Sequence, residues 1–223
     1  MHQRKSKKIV FYFFLLVSIS SITNISLNSF KFNKIQNIKI SGLDEKNNSN
    51  LLKEIKSINI GNIFFTNKKK INELIKSNNL IEKYEVIKEY PSTIKIKIQK
   101  TNFLARIKIK DKNFYIGSNG KLILDDNKYN HLPFIFGQPE VKEFLKFKRV
   151  VDESRFSYSE FESLYFFPSK RWDVKLKNNT YIKLSKNFSK ENLDNLYEFL
   201  EDNNMENIST VDTRIKNQII LND

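Results

Sequence analysis

The side chains that most often carry out catalysis are scarce in this sequence and poorly placed for it. There are two histidines. His2 stands near the N-terminus, and His131 lies in Asn-His-Leu-Pro, a combination typical of a turn. A Ser-His-Asp hydrolase would have to use His131, and the Gly-x-Ser-x-Gly elbow of many such enzymes is missing. Two histidines so placed also exclude a histidine-rich metal site.

Other reactive groups narrow the possibilities further. The sequence contains no cysteine, which excludes disulfides, thiolate zinc sites and a cysteine nucleophile. Two pairs of neighbouring acids, Asp125 with Asp126 and Glu201 with Asp202, fall in predicted turns or helix ends, where we interpret them as solvated carboxylates. The five glycines form no phosphate-binding loop. We therefore predict that the protein is not an enzyme and has no cofactor, no metal and no small-molecule substrate.

The formal net charge of +14 raises the question of nucleic-acid binding. Lysine and asparagine are abundant along the whole chain rather than gathered in a stripe, and no nucleic-acid-binding motif accompanies them. We interpret the charge as a solvated basic surface and predict no nucleic-acid partner. Attraction to an anionic membrane surface would follow from the same charge.

An apolar segment without charged side chains occupies residues 9–27. It directly follows a basic cluster formed by Arg4, Lys5, Lys7 and Lys8. About 19 residues at a rise of about 1.5 Å per residue nearly span a hydrocarbon core of about 30 Å. The sequence therefore predicts a transmembrane helix over 9–27, behind a short tail at 1–8.

The alternative for this segment is a cleaved signal peptide, which also has a basic start and an apolar middle. The residues after Val17 offer no Ala-x-Ala type of cleavage site and continue with apolar residues at helical intervals, which favours an uncleaved anchor. Lysine and arginine clustered before the helix place the N-terminus in the cytoplasm. We therefore predict a single-pass type II protein whose C-terminal domains are periplasmic or extracellular.

The region 35–100 begins with a strand and two helices. Residues 35–40 predict the strand, because a turn signal at Ser-Gly follows them. Apolar residues then recur at helical spacing in two segments, with Ser49 expected as the N-cap of the first helix and Asn67 as the N-cap of the second.

Two alternating segments follow these helices. Residues 84–90 and 93–100 alternate between apolar and polar side chains, and the second places Ile94, Ile96 and Ile98 on one face. Such alternation is typical of half-buried antiparallel strands. The order strand, helix, helix, strand, strand predicts a compact domain whose helices cover one face of a three-stranded sheet.

The region 101–223 predicts a second, mostly antiparallel β domain with a C-terminal helix, so the fold class is α+β. Its expected strands are short segments at 105–110, 114–116, 122–124, 161–167, 171–177 and 181–184, and residues 208–215 and 216–221 are expected to form one or two further strands. The segment 161–167 could be a helix instead, but its aromatic content and the following Pro-Ser-Lys favour a strand. Apolar spacing predicts helices at 141–151 and after a cap at Ser189.

One predicted hairpin contains the only tryptophan. Trp172 alternates with polar neighbours in 171–177, and Asn178 with Asn179 can supply the positive φ angles of a tight turn into 181–184. For Trp172 we favour packing in the core over contact with a ligand.

The end of the chain predicts a strand at a sheet edge, where unpaired N–H and C=O groups can recruit another chain. The candidate partner-binding residues are Arg214, Ile215, Lys216, Asn217, Gln218, Ile219, Ile220 and Leu221. Arg214 and the nearby lysine are expected to meet acidic groups of a partner. The alternative for the apolar members of this group is ordinary burial beneath the helix that Ser189 caps.

Taken together, these elements resemble the FtsQ/DivIB family of bacterial cell-division proteins. The segments that carry the resemblance are Ile38-Lys-Ile-Ser-Gly42, Gly61-Asn-Ile-Phe64, Val86-Ile-Lys-Glu-Tyr-Pro-Ser-Thr-Ile-Lys-Ile96, Leu132-Pro133 with Gly137, Arg171-Trp-Asp-Val-Lys-Leu176 and Val211-Asp-Thr-Arg214. Six elements in the family's order, behind one N-terminal anchor, cover nearly the whole chain. The sequence departs from the family at Gly117, Phe103 and Asn179, where relatives often carry aspartate, proline and glycine.

The resemblance implies a POTRA domain at 35–100 and an FtsQ-type β domain at 101–223. It further implies a non-enzymatic scaffold of the divisome, held in the inner membrane at the division septum. Its β domain would bind FtsB, which travels with FtsL, and so help to coordinate septal peptidoglycan synthesis. The alternative is a POTRA-type chaperone of membrane-protein assembly or translocation, which shares the β-α-α-β-β order.

Overall fold

The structure, a computed structural model, describes residues 3–21, 34–64, 66–202, 208–215 and 218–222. The helices in these ranges are α1 (Gln3–Ser21), α2 (Glu45–Ser57), α3 (Lys68–Ser77), α4 (Val141–Glu153) and α5 (Lys190–Asp202). The strands are β1 (Asn37–Ser41), β2 (Ile81–Glu89), β3 (Thr93–Lys100), β4 (Phe103–Ile109), β5 (Lys112–Gly117), β6 (Leu122–Leu124), β7 (Phe134–Phe136), β8 (Phe161–Phe166), β9 (Trp172–Leu176), β10 (Tyr181–Lys183), β11 (Thr210–Asp212) and β12 (Ile220–Asn222).

The predicted transmembrane helix over 9–27 is not supported. Within the part of the chain that the structure describes, no helix combines the length and the apolar character needed to cross a membrane. Helix α1 begins at Gln3, so its first turns contain the basic cluster. Residues 22–27 of the predicted span lie outside the described residues.

The first sheet has the strand order β1-β3-β2, with β1 parallel to β3 and β2 antiparallel to it. The sequence order β-α-α-β-β is therefore confirmed, as is the alternation in β3, where Ile94, Ile96 and Ile98 are all buried. Helices α2 and α3 pack on this face through Ile55 and Ile75, which are fully buried. Each such side chain contributes about 1.5–3 kcal/mol of transfer free energy when it leaves water.

The N-cap of α2 is Asp44 rather than Ser49. The Asp44 carboxylate accepts the backbone N–H of Asn47 at 3.3 Å and the Asn47 side-chain amide at 2.8 Å. These hydrogen bonds, the side-chain one foremost, hold the pKa of Asp44 below its usual value. Ser49 lies inside the helix. The expected caps at Asn67 and Ser189 are confirmed, since Asn67 accepts from the N–H of Lys70 and Ser189 from the N–H of Asn192.

Replacing Asp44 with alanine should lower the free energy of unfolding by about 1 kcal/mol, because an N–H at the start of α2 loses its acceptor. The measurement is urea denaturation followed by circular dichroism. Ser49→Ala is the matched control, and it should change stability by only a few tenths of a kcal/mol, since alanine is the better residue inside a helix. An equal loss in both variants would mean that Asp44 is not the cap.

Within the described ranges, the second sheet has nine strands in the order β12-β11-β10-β9-β8-β7-β4-β5-β6. Most neighbours are antiparallel, as predicted, and the parallel pairs are β4 with β7, β7 with β8, and β10 with β11. Helices α4 and α5 cover one face, where Phe144, Phe147 and Leu196 pack against Trp172 and Val174. The segment predicted over 161–167 is a strand rather than a helix, as its aromatic content indicated, and it ends at Phe166.

The hairpin between β9 and β10 turns through Asn178 and Asn179. Asn179 has φ of 72°, so this asparagine occupies the left-handed region that the turn requires. Its N–H donates to the carbonyl of Leu176 at 3.0 Å, and the N–H of Leu176 donates to the carbonyl of Thr180 at 2.9 Å. Asn179 therefore closes this turn.

Candidate partner-binding edge

The predicted partner-binding residues lie at one edge of the nine-stranded sheet, but they do not form one long strand. Ile220 and Leu221 belong to β12, the last strand on that side among the residues the structure describes. Four others lie in the connection before it: Arg214, Ile215, Gln218 and Ile219. Lys216 and Asn217 lie outside the described residues. The predicted strands over 208–215 and 216–221 were therefore too long.

Strand β11 ends at Asp212 because the side chain of Asp212 forms a hydrogen bond with the backbone that would continue the strand. The carboxylate of Asp212 accepts the backbone N–H of Arg214 at 3.0 Å. This local bond competes with ladder pairing, as aspartate side chains do at turns. Aspartate two residues before an arginine was visible in the sequence, but nothing in the alternation marked it as a strand end.

The direction of the backbone groups at this edge follows from the β10–β11 ladder. The N–H of Tyr181 donates to the carbonyl of Ser209, and the N–H of Thr213 donates to the carbonyl of Lys183, both at 2.9 Å. In a parallel ladder with this register, Val211 directs its own N–H and C=O toward β10. Its two neighbours in β11 consequently face the opposite way, toward β12.

In the β11–β12 ladder, Thr210 pairs with Asn222 and Asp212 pairs with Ile220. Because Thr210 and Asp212 face β12, these are the hydrogen-bonded pairs of the antiparallel ladder. Leu221 stands between them, so its N–H and C=O point away from β11, out of the sheet. No strand in the described ranges lies on that outer side. This is the arrangement that can accept an additional strand.

The side chains of β12 alternate across the sheet. Leu221 is opposite Val211 and lies on the face that α5 covers, whereas Ile220 and Asn222 lie on the other face. Ile220 is 43% exposed and Leu221 is 38% exposed. Ile219 is partly buried and packs against the core, so for this residue the burial alternative is correct. Apolar contact surface is therefore available on both faces of the edge.

Arg214 is already paired within the chain. Its Nε lies 2.9 Å from each carboxylate oxygen of Asp212, and its terminal nitrogen also contacts that carboxylate. This hydrogen bonding lowers the pKa of Asp212 and raises the pKa of Arg214. On β9, which β10 separates from β11, burial raises the pKa of Asp173, against the opposing effect of Arg171. A partner carboxylate would therefore have to share Arg214 with Asp212.

A groove with a volume of about 610 Å³ lies beside this edge. It is bounded by α5, by the loop after β10 and by the segment that leads into β12. The lining residues are Ser185, Asn187, Asn192, Asn195, Leu196, Thr213, Arg214, Ile215, Gln218 and Ile219. The asparagines at 192 and 195 were not predicted as site residues, although their spacing of three residues places them on one face of α5.

The remaining candidate groups lie in a turn and in the core. In the described part of the chain, no group of three or more histidine, aspartate or glutamate side chains is arranged to hold a metal ion. Asp125 accepts the N–H of Asn127 at 2.6 Å, and Asp126 accepts the hydroxyl of Tyr115 at 3.2 Å, so both acids organise a turn. Trp172 is 4% exposed and packs 4.7 Å from Phe147 between ring centroids, which confirms its place in the core.

Comparison with known proteins identifies relatives of this chain. A family model described as "POTRA domain, FtsQ-type" matches residues 33–100. Cell division protein DivIB of Clostridium botulinum (strain Loch Maree / Type A3) is 32% identical over 158 residues, which cover 66% of this chain and 58% of that protein. Cell division protein DivIB of Staphylococcus aureus (strain NCTC 8325 / PS 47) is 31% identical over 113 residues, 49% of this chain and 26% of that protein.

A solved structure also matches, that of the major extracytoplasmic domain of the trans isomer of DivIB from Geobacillus stearothermophilus. It is 12% identical with a TM-score of 0.35, and the match covers 46% of this chain and 91% of that one. At this score the superposition is loose, so the assignment depends on the sequence matches. The chain spans little more than half the length of the Clostridium relative. The FtsQ-type match over the three-stranded unit and the two DivIB relatives support the assignment of the chain to the FtsQ/DivIB family of bacterial cell-division proteins.

Proposed function

We propose that this cell-division protein is a non-enzymatic scaffold of the divisome that captures FtsB, and with it FtsL, by adding a strand of FtsB to the outer edge of β12. The observation that supports this proposal best is the outward direction of the Leu221 N–H and C=O. In β-augmentation the main-chain hydrogen bonds give affinity, and alternate side chains give the register. Through this contact the protein would help to coordinate septal peptidoglycan synthesis.

The surroundings of β12 suit such a partner. An added strand would lie about 4.8 Å beyond β12 and would run past the groove beside α5. The exposed side chains of Ile220 and Leu221 offer contact on the two faces of the sheet. In this proposal the β domain, 101–223, carries the partner edge, and the POTRA domain, 35–100, serves recruitment to the division machinery.

The proposed location is the inner membrane at the division septum, with the N-terminus in the cytoplasm and the two domains in the periplasm. Helix α1 supports membrane association because its large apolar side chains are exposed, among them Phe11 at 64%, Phe14 at 69% and Leu16 at 65%. Soluble proteins rarely leave such a continuous apolar surface in water. Basic residues at the start of the helix favour the cytoplasmic side.

A fluorescent fusion of the full chain is expected to form a band at midcell in dividing cells, and the protein should sediment with membranes. Replacing both Phe11 and Phe14 with aspartate should move most of it to the soluble fraction, because the charges oppose contact with lipid. Phe136→Asp is the control, since Phe136 is 45% exposed outside α1 and should leave sedimentation unchanged. Soluble wild-type protein would contradict the location. An even distribution around the envelope would favour a POTRA-type chaperone of membrane-protein assembly.

A further inference from the structure

The two sheets are joined by a very short connection. Strand β3 ends at Lys100 and β4 begins at Phe103, so Thr101 and Asn102 alone connect them. Thr101 is 3% exposed although it lies between two units with separate cores. Its N–H donates to the carbonyl of Leu80 at 2.9 Å. A connection of this kind places the turn after β5 directly against the three-stranded unit.

Glu82 of the three-stranded unit accepts hydrogen bonds from the connection and from that turn. One of its carboxylate oxygens accepts the hydroxyl of Thr101 at 3.0 Å and the hydroxyl of Ser118 at 2.8 Å. The backbone N–H of Ser118 in turn donates to the carbonyl of Asn102 at 2.8 Å. A single charged acceptor thus connects β2 with the start of the second unit, and bonds to an ionised acceptor are the stronger kind.

Two asparagines, one in each unit, donate hydrogen bonds from their side chains to the other unit. The side-chain amide of Asn119 donates to the carbonyls of Asn79 and Ile81, at 2.9 and 3.0 Å. The side-chain amide of Asn79 donates to the carbonyl of Leu122 at 2.9 Å. Each unit therefore satisfies backbone carbonyls of the other.

Lys121 caps a helix that does not belong to its own unit. Its ammonium donates to the carbonyls of Lys76 and Asn78, at 2.5 and 3.2 Å, where α3 ends. The last carbonyls of a helix lack partners within the helix, and the negative end of the helix dipole attracts a cation. This interaction occurs only while the two units are docked.

The turn itself has no room for a larger residue at its start. A Cβ atom added to Gly117 would lie 2.8 Å from the hydroxyl oxygen of Thr101 and 2.7 Å from the side-chain oxygen of Asn119. Both distances are shorter than real Cβ contacts allow. Glycine at this position therefore lets Thr101 and Asn119 approach closely enough to make the bonds between the units.

We infer that the turn 117–121 is a latch that fastens the three-stranded unit to the nine-stranded unit, so that the two move as one body. The latch consists of hydrogen bonds rather than of a shared apolar core. Because water can replace such bonds at small net cost, the latch can open without unfolding either unit. While it is closed, any surface of the POTRA domain stays at a fixed distance from the β12 edge. This inference does not depend on FtsB binding.

The absence of cysteine makes the latch directly testable, because two introduced cysteines would be the only thiols. Spin labels at Lys53→Cys on α2 and Lys142→Cys on α4 stand on exposed positions of the two units. Double electron–electron resonance on the purified full chain should give one narrow distance distribution. In the Asn119→Ala/Lys121→Ala background we expect the distribution to widen at least twofold.

The matched control is Lys112→Ala/Asn113→Ala, which removes the same two residue types from the exposed start of β5 and should leave the distribution narrow. Labels at Lys142→Cys and Lys183→Cys, both in the nine-stranded unit, report whether that unit stays folded in each variant. If the double variant does not fold, Asn119→Ala alone should give an intermediate width. A broad distribution in the wild type, or a narrow one in folded Asn119→Ala/Lys121→Ala, would overturn the inference.

Discussion

If FtsB adds a strand to β12 as proposed, replacing Leu221 with proline should weaken the binding of the FtsB segment by at least tenfold. The proline has no N–H to donate to an added strand, and its ring occupies the outer edge of β12. The bonds that hold β12 to β11 come from Ile220 and Asn222, so they remain available. A tenfold loss corresponds to about 1.4 kcal/mol, which is close to one net hydrogen bond with some added steric cost.

Isothermal titration calorimetry with the FtsB segment measures this effect, and circular dichroism shows whether the variant is folded. Leu221→Ala is the control, because it shortens the same side chain but keeps the N–H. The alanine variant should therefore bind the FtsB segment more tightly than the proline variant does. Equal affinities of the proline variant and the wild type would rule out strand addition at β12. Equal losses of affinity in both variants would mean that binding depends on the Leu221 side chain instead.

The sequence predicts well those parts of the fold in which a single local pattern determines the structure. In β3 the isoleucines at 94, 96 and 98 alternate with polar residues, so only one face could be buried, and no distant partner was needed to see this. The cap of α2 was harder because Asp44 and Ser49 are both good N-cap types. In the structure Asp44 is the cap, because its carboxylate accepts hydrogen bonds from both the backbone and the side chain of Asn47.

The partner edge could be predicted only in outline, because its pairing is not local. β11 pairs in parallel with β10 across the whole of α5, and no pattern in either strand encodes that choice. The outward direction of Leu221 depends on this pairing, since a shift of one residue would turn its N–H inward. The latch was invisible for the same reason, as Asn119 and its acceptor in Asn79 are 40 residues apart.

Replacing Trp172 with alanine should lower the free energy of unfolding by about 3–5 kcal/mol, a large part of the stability of a typical domain. The indole packs between Phe147 and Phe166, with ring centroids 4.7 and 4.8 Å away. Removing it leaves a cavity beneath α4, because backbone held in a sheet cannot collapse to fill the space. We expect urea denaturation, followed by circular dichroism, to show the loss.

Circular dichroism is required because Trp172 is the only tryptophan, so the alanine variant has no indole fluorescence. Trp172→Phe is the conservative variant and should recover more than half of the lost stability, since a phenyl ring still fills most of the space. Phe136→Ala should cost less than about 1 kcal/mol, because this ring is partly in solvent already. If Trp172→Ala were to weaken FtsB binding while leaving the unfolding free energy unchanged, the indole would be a binding residue and its assignment to the core would be wrong.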